Sequence, residues 1–303
     1  MDLPEDFKTR IHGTFGRDGQ SWLKQLPDLL EHFQDAWSLT LHHSPFPPSY
    51  HYVIPCQTQH GVDAVLKLGV PNPELSTEIN ALRHFKGRGV VRLLKADQGR
   101  GGLLLERITP GTALLHVKDN LYAAQAAANV ADKLWRPPPK NHPFPTMEDW
   151  GQGFQRLRKE FQGDTGPFPK MLVEKAEALF KDLLSSTSEP VLLHGDFHHR
   201  NLLKAQRDPW LTIDPKGLIG EPAYEMGAYL RNPFPEILHE ADFQKLTAER
   251  IEIFADTLSL DPSRMIGWGF SQAVLAAWWS YEERSQAWEK WVSIAERLSE
   301  MTS

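Results

Sequence analysis

Two short stretches of this sequence have the residue types and spacing for phosphoryl transfer. In the first, the apolar run Val191-Leu192-Leu193 leads into His194-Gly195-Asp196, and Asn201 follows the aspartate at a spacing of five. In the second, Trp210-Leu211-Thr212-Ile213 ends in Asp214, eighteen positions after Asp196. An aspartate delivered by a strand end can accept the proton of an attacking hydroxyl. A nearby asparagine and a second aspartate can hold magnesium on nucleotide phosphates, since both are hard oxygen ligands. Either aspartate alone is read more simply as a turn residue after a buried strand. Two such strand ends, with an asparagine at this spacing, favour the phosphotransfer reading.

A third element belongs to the same chemistry. Lys67 lies inside the apolar strand pattern of residues 62–68, and Glu78 follows eleven positions later on a helix expected over 73–85. A strand lysine paired with a helix glutamate holds an ammonium against nucleotide phosphates. Taken alone, Lys67 reads as an edge-strand gatekeeper and Glu78 as a solvated carboxylate. The strand at 102–108 ends near Glu106 and Ile108, where exposed main chain can bond a nucleobase edge. Glu221 and Glu225, beside a helix start at Pro222, and Glu282 and Glu283, after Trp278-Trp279, are candidates to meet a cationic acceptor. For the first two, compensation of a helix N-terminus is the plainer reading.

The elements that must position these groups fall into two kinds. Ahead of residue 107 the pattern gives a helix over 21–36, capped by Ser21 and kinked at Pro27. Strands follow at 37–41, 51–54, 62–68, 90–94 and 102–108, with the helix at 73–85 among them. Beyond 108 the chain is mainly helical: 119–135, 147–162, 168–186, 241–258, and 264 to the C-terminus. Residues 136–145 are proline-rich and read as a stiff loop. The aromatic residues from Trp268 to Trp291 read first as packing. This is an α+β chain with a small antiparallel sheet region, 1–107, and a helical region, 108–303.

Composition narrows the partners. The 303 residues are 41% hydrophobic and 24% charged, ordinary values for a globular protein, with a formal net charge of −6. No basic stripe for nucleic acid is present, and no uncharged apolar run approaches the roughly 20 residues needed to cross a bilayer. A single cysteine, Cys56, allows no internal disulfide and suits a reducing compartment. The N-terminus has no signal-peptide pattern, so the reading is a soluble, cytoplasmic protein acting on a small molecule. The thirteen histidines include adjacent pairs at 42–43 and 198–199, which diverge on regular backbone, and no zinc spacing occurs. His194 is expected to buttress the Asp196 loop by hydrogen bonds.

The block from His194 to Asn201, together with Ile213-Asp214-Pro215-Lys216-Gly217-Leu218-Ile219-Gly220-Glu221, resembles the aminoglycoside phosphotransferase family. More narrowly, it resembles the streptomycin 6-phosphotransferase and hydroxyurea-resistance kinase branch. The resemblance implies a protein-kinase-like two-lobed fold, with an N-terminal nucleotide-binding lobe and a C-terminal catalytic lobe. It also implies ATP-dependent phosphorylation of a hydroxyl in an antibiotic-type acceptor. By the same resemblance Asp196 is the catalytic residue, Asn201 and Asp214 hold Mg2+, and Lys67 with Glu78 contacts the phosphates. No GxGxxG lies between the first strands; residues 44–50 carry prolines instead, which leaves GTP open beside ATP. Lys67→Met is expected to weaken ATP use in a stable protein. Two alternatives stand beside this reading: a metabolic kinase of a sugar, amino alcohol or nucleoside, and a silent kinase-fold binder. The complete Lys67, Asp196, Asn201 and Asp214 set argues against the second.

Overall fold

A computed structural model describes residues 3–42, 44–187 and 189–302. His43, of the first histidine pair, lies outside them. The chain forms two compact units divided between Thr109 and Pro110, where the sequence pattern places the division after 107.

The first unit opens on α1 (Glu5–Trp37), interrupted at Gly16, whose φ of 55° and ψ of −126° are non-helical. The helix thus starts well before Ser21, and its break is at Gly16 rather than at Pro27. Glycines at 13, 16 and 19 hide the first half from periodicity, yet Gly16 and Gly19 are what lets the two halves fold together. A Cβ on Gly19 would stand 2.5 Å from the Ile11 carbonyl oxygen. Phe7, Ile11, Trp22, Leu26 and Phe33 then share one core with Cys56, Ala64, Leu66 and Leu104 of the sheet.

That sheet comprises β1 (Leu39–Leu41), β2 (Tyr52–Thr58), β3 (Asp63–Leu68), β4 (Leu93–Asp97) and β5 (Gly102–Glu106), with α2 (Pro73–Phe85) inserted after β3. Its order is β1-β2-β3-β5-β4, antiparallel throughout. β2 continues through Pro55 because that residue pairs with Val65 on β3 while its carbonyl accepts the His42 N–H at 2.9 Å. β4 falls three residues later than the apolar run at 90–94 suggests. It is an edge strand with a bulge at Leu93/Lys95, so it needs no continuous apolar face. α2 begins where Asn72 accepts the Leu75 N–H at 3.0 Å, and it buries Leu75, Ile79 and Leu82.

In the second unit β6 (Pro110–Ala113) precedes α3 (Asn120–Leu134), α4 (Met147–Glu160) and α5 (Lys170–Ser185). Asp119 caps α3, and a Thr146/Asp149 capping box starts α4. β7 (Val191–Leu193) pairs with β10 (Leu218–Gly220), while β8 (Leu202–Ala205) lies between β6 and β9 (Trp210–Thr212). α6 (Pro222–Leu230), α7 (Phe243–Leu258), α8 (Pro262–Glu282) and α9 (Trp288–Ser299) complete the unit. The C-terminal helix expected from 264 is thus two helices, parted at a turn where Arg284 takes φ 56°. The aromatic stripe is packing in its first part, where Trp268, Phe270 and Trp278 are buried. No described helix is long and apolar enough to cross a membrane.

Candidate active site

In the first unit, Lys67 on β3 donates from Nζ to both oxygens of Glu78 on α2, at 2.7 and 2.9 Å. Both residues are buried. β3 is an inner strand, so Lys67 is no edge gatekeeper, and Glu78 is no solvated carboxylate. The burial comes from α2, whose turn at 78 lies beside the Leu75–Ile79–Leu82 face. Glu106, at the end of β5, accepts the Arg92 N–H at 2.9 Å through its side chain. Its own N–H donates to the Arg92 carbonyl at 3.0 Å. Ile108 follows two residues later, half-buried on irregular backbone.

In the second unit, β7 and β9 each end in one of the predicted loops, and His194 joins them. Its side-chain Nε2–H donates to the Ile213 carbonyl at 2.8 Å. Its own carbonyl accepts the N–H groups of Lys216 and Gly217, at 2.8 and 3.1 Å. Ile213 in turn donates its N–H to the Asn201 carbonyl at 2.9 Å. The peptides flanking Asp214 are therefore tied to the loop that carries Asp196 and Asn201. The Asp196 N–H donates to His194 Nδ1 at 3.2 Å, which fixes a neutral imidazole with its proton on Nε2. Burial agrees, pushing the His194 pKa down to about 4. Gly195 turns the chain between them at φ 83°, a conformation that favours glycine.

Asn201 donates from Nδ2 to the Asp196 carbonyl at 3.0 Å and to Asp196 Oδ2 at 3.2 Å. That assigns the amide orientation, with Nδ2 on the loop. His198 places Nε2 3.3 Å from Asp196 Oδ1. Burial alone would raise the Asp196 pKa. The neighbouring imidazole of His198, then Lys216 and His194, outweigh it and hold the carboxyl well below the usual range. The adjacent histidines diverge as expected. His199 turns inward, stacks on Tyr229 at 4.1 Å and meets Arg250 Nη2 at 3.4 Å. Burial, then Arg250, keeps His199 well below its ordinary pKa.

Two glutamates singled out for an acceptor lie elsewhere. Glu225 on α6 sits beneath the loop: Oε2 accepts the His194 N–H at 2.6 Å and Oε1 the Gly195 N–H at 2.9 Å. Burial pushes its pKa up to about 7, against the pull of those two donors. Glu221 is buried and accepts from Arg264 Nε at 3.0 and 3.1 Å, from Arg264 Nη2 at 2.9 Å, and from the Trp268 indole. Both are structural carboxylates, which corrects their reading as acceptor contacts. Glu221 makes no side-chain cap bond to α6 either, so helix-dipole compensation is not its main role. The signal missed in the sequence was Arg264, forty-three positions away. Glu282 is held as a fork by Arg156, at 2.9 and 3.1 Å. It lines a cavity of about 910 Å3 with Arg156, Lys159, Tyr281 and Trp288. Glu283 is exposed at the end of α8.

No cluster of three His, Cys, Asp or Glu side chains suited to a metal occurs among the described residues. The oxygen groups singled out for a metal from the sequence, on Asp214 and Asn201, are one carboxylate and one amide. Such a set suits magnesium, which keeps phosphate oxygens and water as its other ligands, and suits zinc poorly.

The family model of the aminoglycoside/hydroxyurea antibiotic resistance kinases matches residues 36–283. A streptomycin 6-kinase of Streptomyces glaucescens is 29% identical, covering 95% of this chain and 93% of its own. A hydroxyurea phosphotransferase of Kitasatospora aureofaciens is 31% identical, covering 93% of this chain and 82% of its own. Among solved structures, a choline kinase from Streptococcus pneumoniae superposes with a TM-score of 0.65, over 91% of this chain and 99% of its own. At 11% identity that likeness speaks to fold alone, which is protein-kinase-like.

Proposed function

Because the chain belongs to the aminoglycoside/hydroxyurea antibiotic resistance kinase family, we propose that it transfers the terminal phosphoryl group of ATP to a hydroxyl of a streptomycin-like or hydroxyurea-type acceptor. The observation that carries this reading is the Asp196 loop. Asp196 is ionised, held by Asn201 and His198, and backed by a neutral His194. An aspartate so far from neutrality is a weak base, so it acts mainly by aligning the acceptor hydroxyl and takes its proton late.

Each other residue has one task. Lys67, oriented by Glu78, holds phosphate oxygens of the nucleotide. The main chain at Glu106 and Ile108 meets the base edge, which does not by itself separate ATP from GTP. Asn201, through Oδ1, and Asp214 are the residues to hold Mg2+, which supplies neutralisation of phosphate charge when bound. With Glu221 and Glu225 engaged inward, Glu282 and Glu283 are the acidic residues assigned to a cationic acceptor. Glu282 would take a guanidinium in exchange for Arg156.

The test is ADP release with Mg-ATP against streptomycin, other aminoglycosides, hydroxyurea, simple sugars and amino alcohols, with Asp196→Ala as the blank. Release that depends on streptomycin or hydroxyurea, absent from the variant, is the expected result. Release with a sugar or amino alcohol alone would move the chain to metabolism. ATP binding without any acceptor-dependent release would reject the proposed acceptors.

A further inference from the structure

Arg231 ends α6 and is only 9% exposed. Among the described residues its guanidinium donates no hydrogen bond and forms no ion pair, and its buried Nε–H is without a partner. Its guanidinium lies over the face of Trp291, 5.2 Å from the ring centre. Trp291 is itself stacked on Phe234 at 3.9 Å and 9°. Buried charges in proteins are paired or bind an ion, because desolvating an uncompensated one is costly. The C-terminal end of a helix favours a cation, but it supplies no acceptor for these donors. An arginine laid flat on an aromatic face keeps the donors at its edge for planar or tetrahedral oxygen groups.

The place of Arg231 tells which group that is. α6 runs along the Asp196 loop: Glu225 bonds the His194 and Gly195 N–H groups. One turn on, Tyr229 stacks on His199 and lies 6.4 Å from the Phe197 ring. Arg231 follows two residues later. Burial works against its charge, and the Asp196 carboxylate is the first group that supports it. A buried guanidinium with no hydrogen-bonded carboxylate is compensated far better by an anion than by a neutral carbonyl.

We propose that Arg231 is a catalytic cation whose guanidinium takes oxygens of the phosphoryl group as that group passes to the acceptor at Asp196. In that step the acceptor oxygen forms the new O–P bond. The bond between the γ-phosphorus and the β–γ bridging oxygen breaks, its electron pair leaving on ADP, and the hydroxyl proton passes to Asp196 and then to water. Guanidinium groups aimed at the charge of a transferring phosphoryl are an efficient form of electrostatic catalysis.

The proposal rests on the phosphotransfer reading but not on the acceptor, since slow ATP hydrolysis uses the same step with water attacking. The experiment compares wild type, Arg231→Met and Arg231→Ala in acceptor-dependent turnover, ATP hydrolysis and thermal melting. Arg231→Met is expected to lower both rates by about 100-fold or more, with acceptor KM unchanged. Its Tm should be equal or higher, because an apolar side chain replaces a buried charge that has no counter-charge bonded to it. Free guanidinium ion should restore part of the rate to Arg231→Ala. Unchanged rates overturn the proposal. So does a raised acceptor KM at constant hydrolysis, which would make Arg231 an acceptor contact. Loss of activity only in step with a lowered Tm, and without guanidinium rescue, overturns it in favour of a structural role. A wild type that hydrolyses ATP but phosphorylates nothing in the panel rejects the acceptor assignment, and the variants still decide Arg231. A wild type inert in both assays overturns both readings.

Discussion

Glu225 carries the main chain of the Asp196 loop on its carboxylate, one oxygen to the His194 N–H and the other to the Gly195 N–H. Directly above, His194 is held neutral by its own two side-chain bonds. The loop is thus seated on two buried titratable groups whose pKa values move in opposite senses.

These shifts predict opposite dependences of stability on pH. Glu225, raised to about 7, favours folding fully below the ordinary carboxylate pKa, and that contribution is lost as pH rises through about 7. His194, lowered to about 4, favours folding fully above the ordinary imidazole pKa, and that contribution is lost as pH falls through about 4. Between roughly pH 4.5 and 6.5 the two slopes oppose each other. Glu225→Gln should remove the loss above pH 5 and expose the His194 slope, while leaving one loop N–H without its acceptor at a cost of about 1–3 kcal/mol. Urea unfolding from pH 4 to 8 checks this; identical slopes in both proteins would refute the assignment.

Asp196→Ala should lower turnover by at least ~100-fold with far-UV circular dichroism unchanged and Tm lowered, because the fold stabilises the ionised carboxyl. Its hydrogen bonds are to loop groups rather than to the core. Asp196→Asn, which keeps the shape and loses the charge, should be nearly as poor. Turnover near that of the wild type in either variant would remove Asp196 from the chemistry.

For Lys67→Met the burial of the pair changes the expectation drawn from the sequence. The substitution takes away the ammonium that both Glu78 oxygens accept from, in a site where Lys67 is 2% and Glu78 5% exposed. Breaking a buried pair in this way costs about 3–5 kcal/mol. Nucleotide affinity and stability should therefore fall together. The double variant Lys67→Met/Glu78→Met should recover stability but not nucleotide binding, as read by calorimetric titration and thermal melting. A single variant as stable as the wild type would contradict the buried-pair account.

Glu221→Gln should weaken the fold without touching acceptor recognition. Arg264 also bonds Ser186 Oγ at 2.9 Å and the Leu183 carbonyl at 2.8 Å, so Glu221 ties α6 and α8 to the end of α5. A loss of about 2–3 kcal/mol with unchanged acceptor KM is expected from denaturation and steady-state kinetics. A selective rise in KM would return Glu221 to the acceptor site.

The local signals were legible at α2, α3 and α4, where a cap sits beside a periodic run. α2 spans Pro73–Phe85 as the pattern predicts, and Asp119 and Thr146 start α3 and α4. Local reading failed where glycine or an edge removed the period: the first half of α1 with its glycines, and β4 at the rim of its sheet. Motif spacing singled out Asp196, Asn201 and Asp214 as candidates, because the two aspartates follow strand ends and Asn201 lies between them, just before β8.

What the sequence determined by itself was therefore the fold class, the family resemblance and the identity of the chemical groups. Only the tertiary structure decided what each carboxylate touches. Glu221 and Glu225 have the same residue type and sit four positions apart. Yet one is spoken for by Arg264 and Trp268, and the other by two loop N–H groups. Arg231, featureless in sequence, became notable only when its burial and its unpartnered Nε–H could be seen. The physical reason is that charge pairing and desolvation depend on neighbours brought together from distant parts of the chain, which no local pattern encodes.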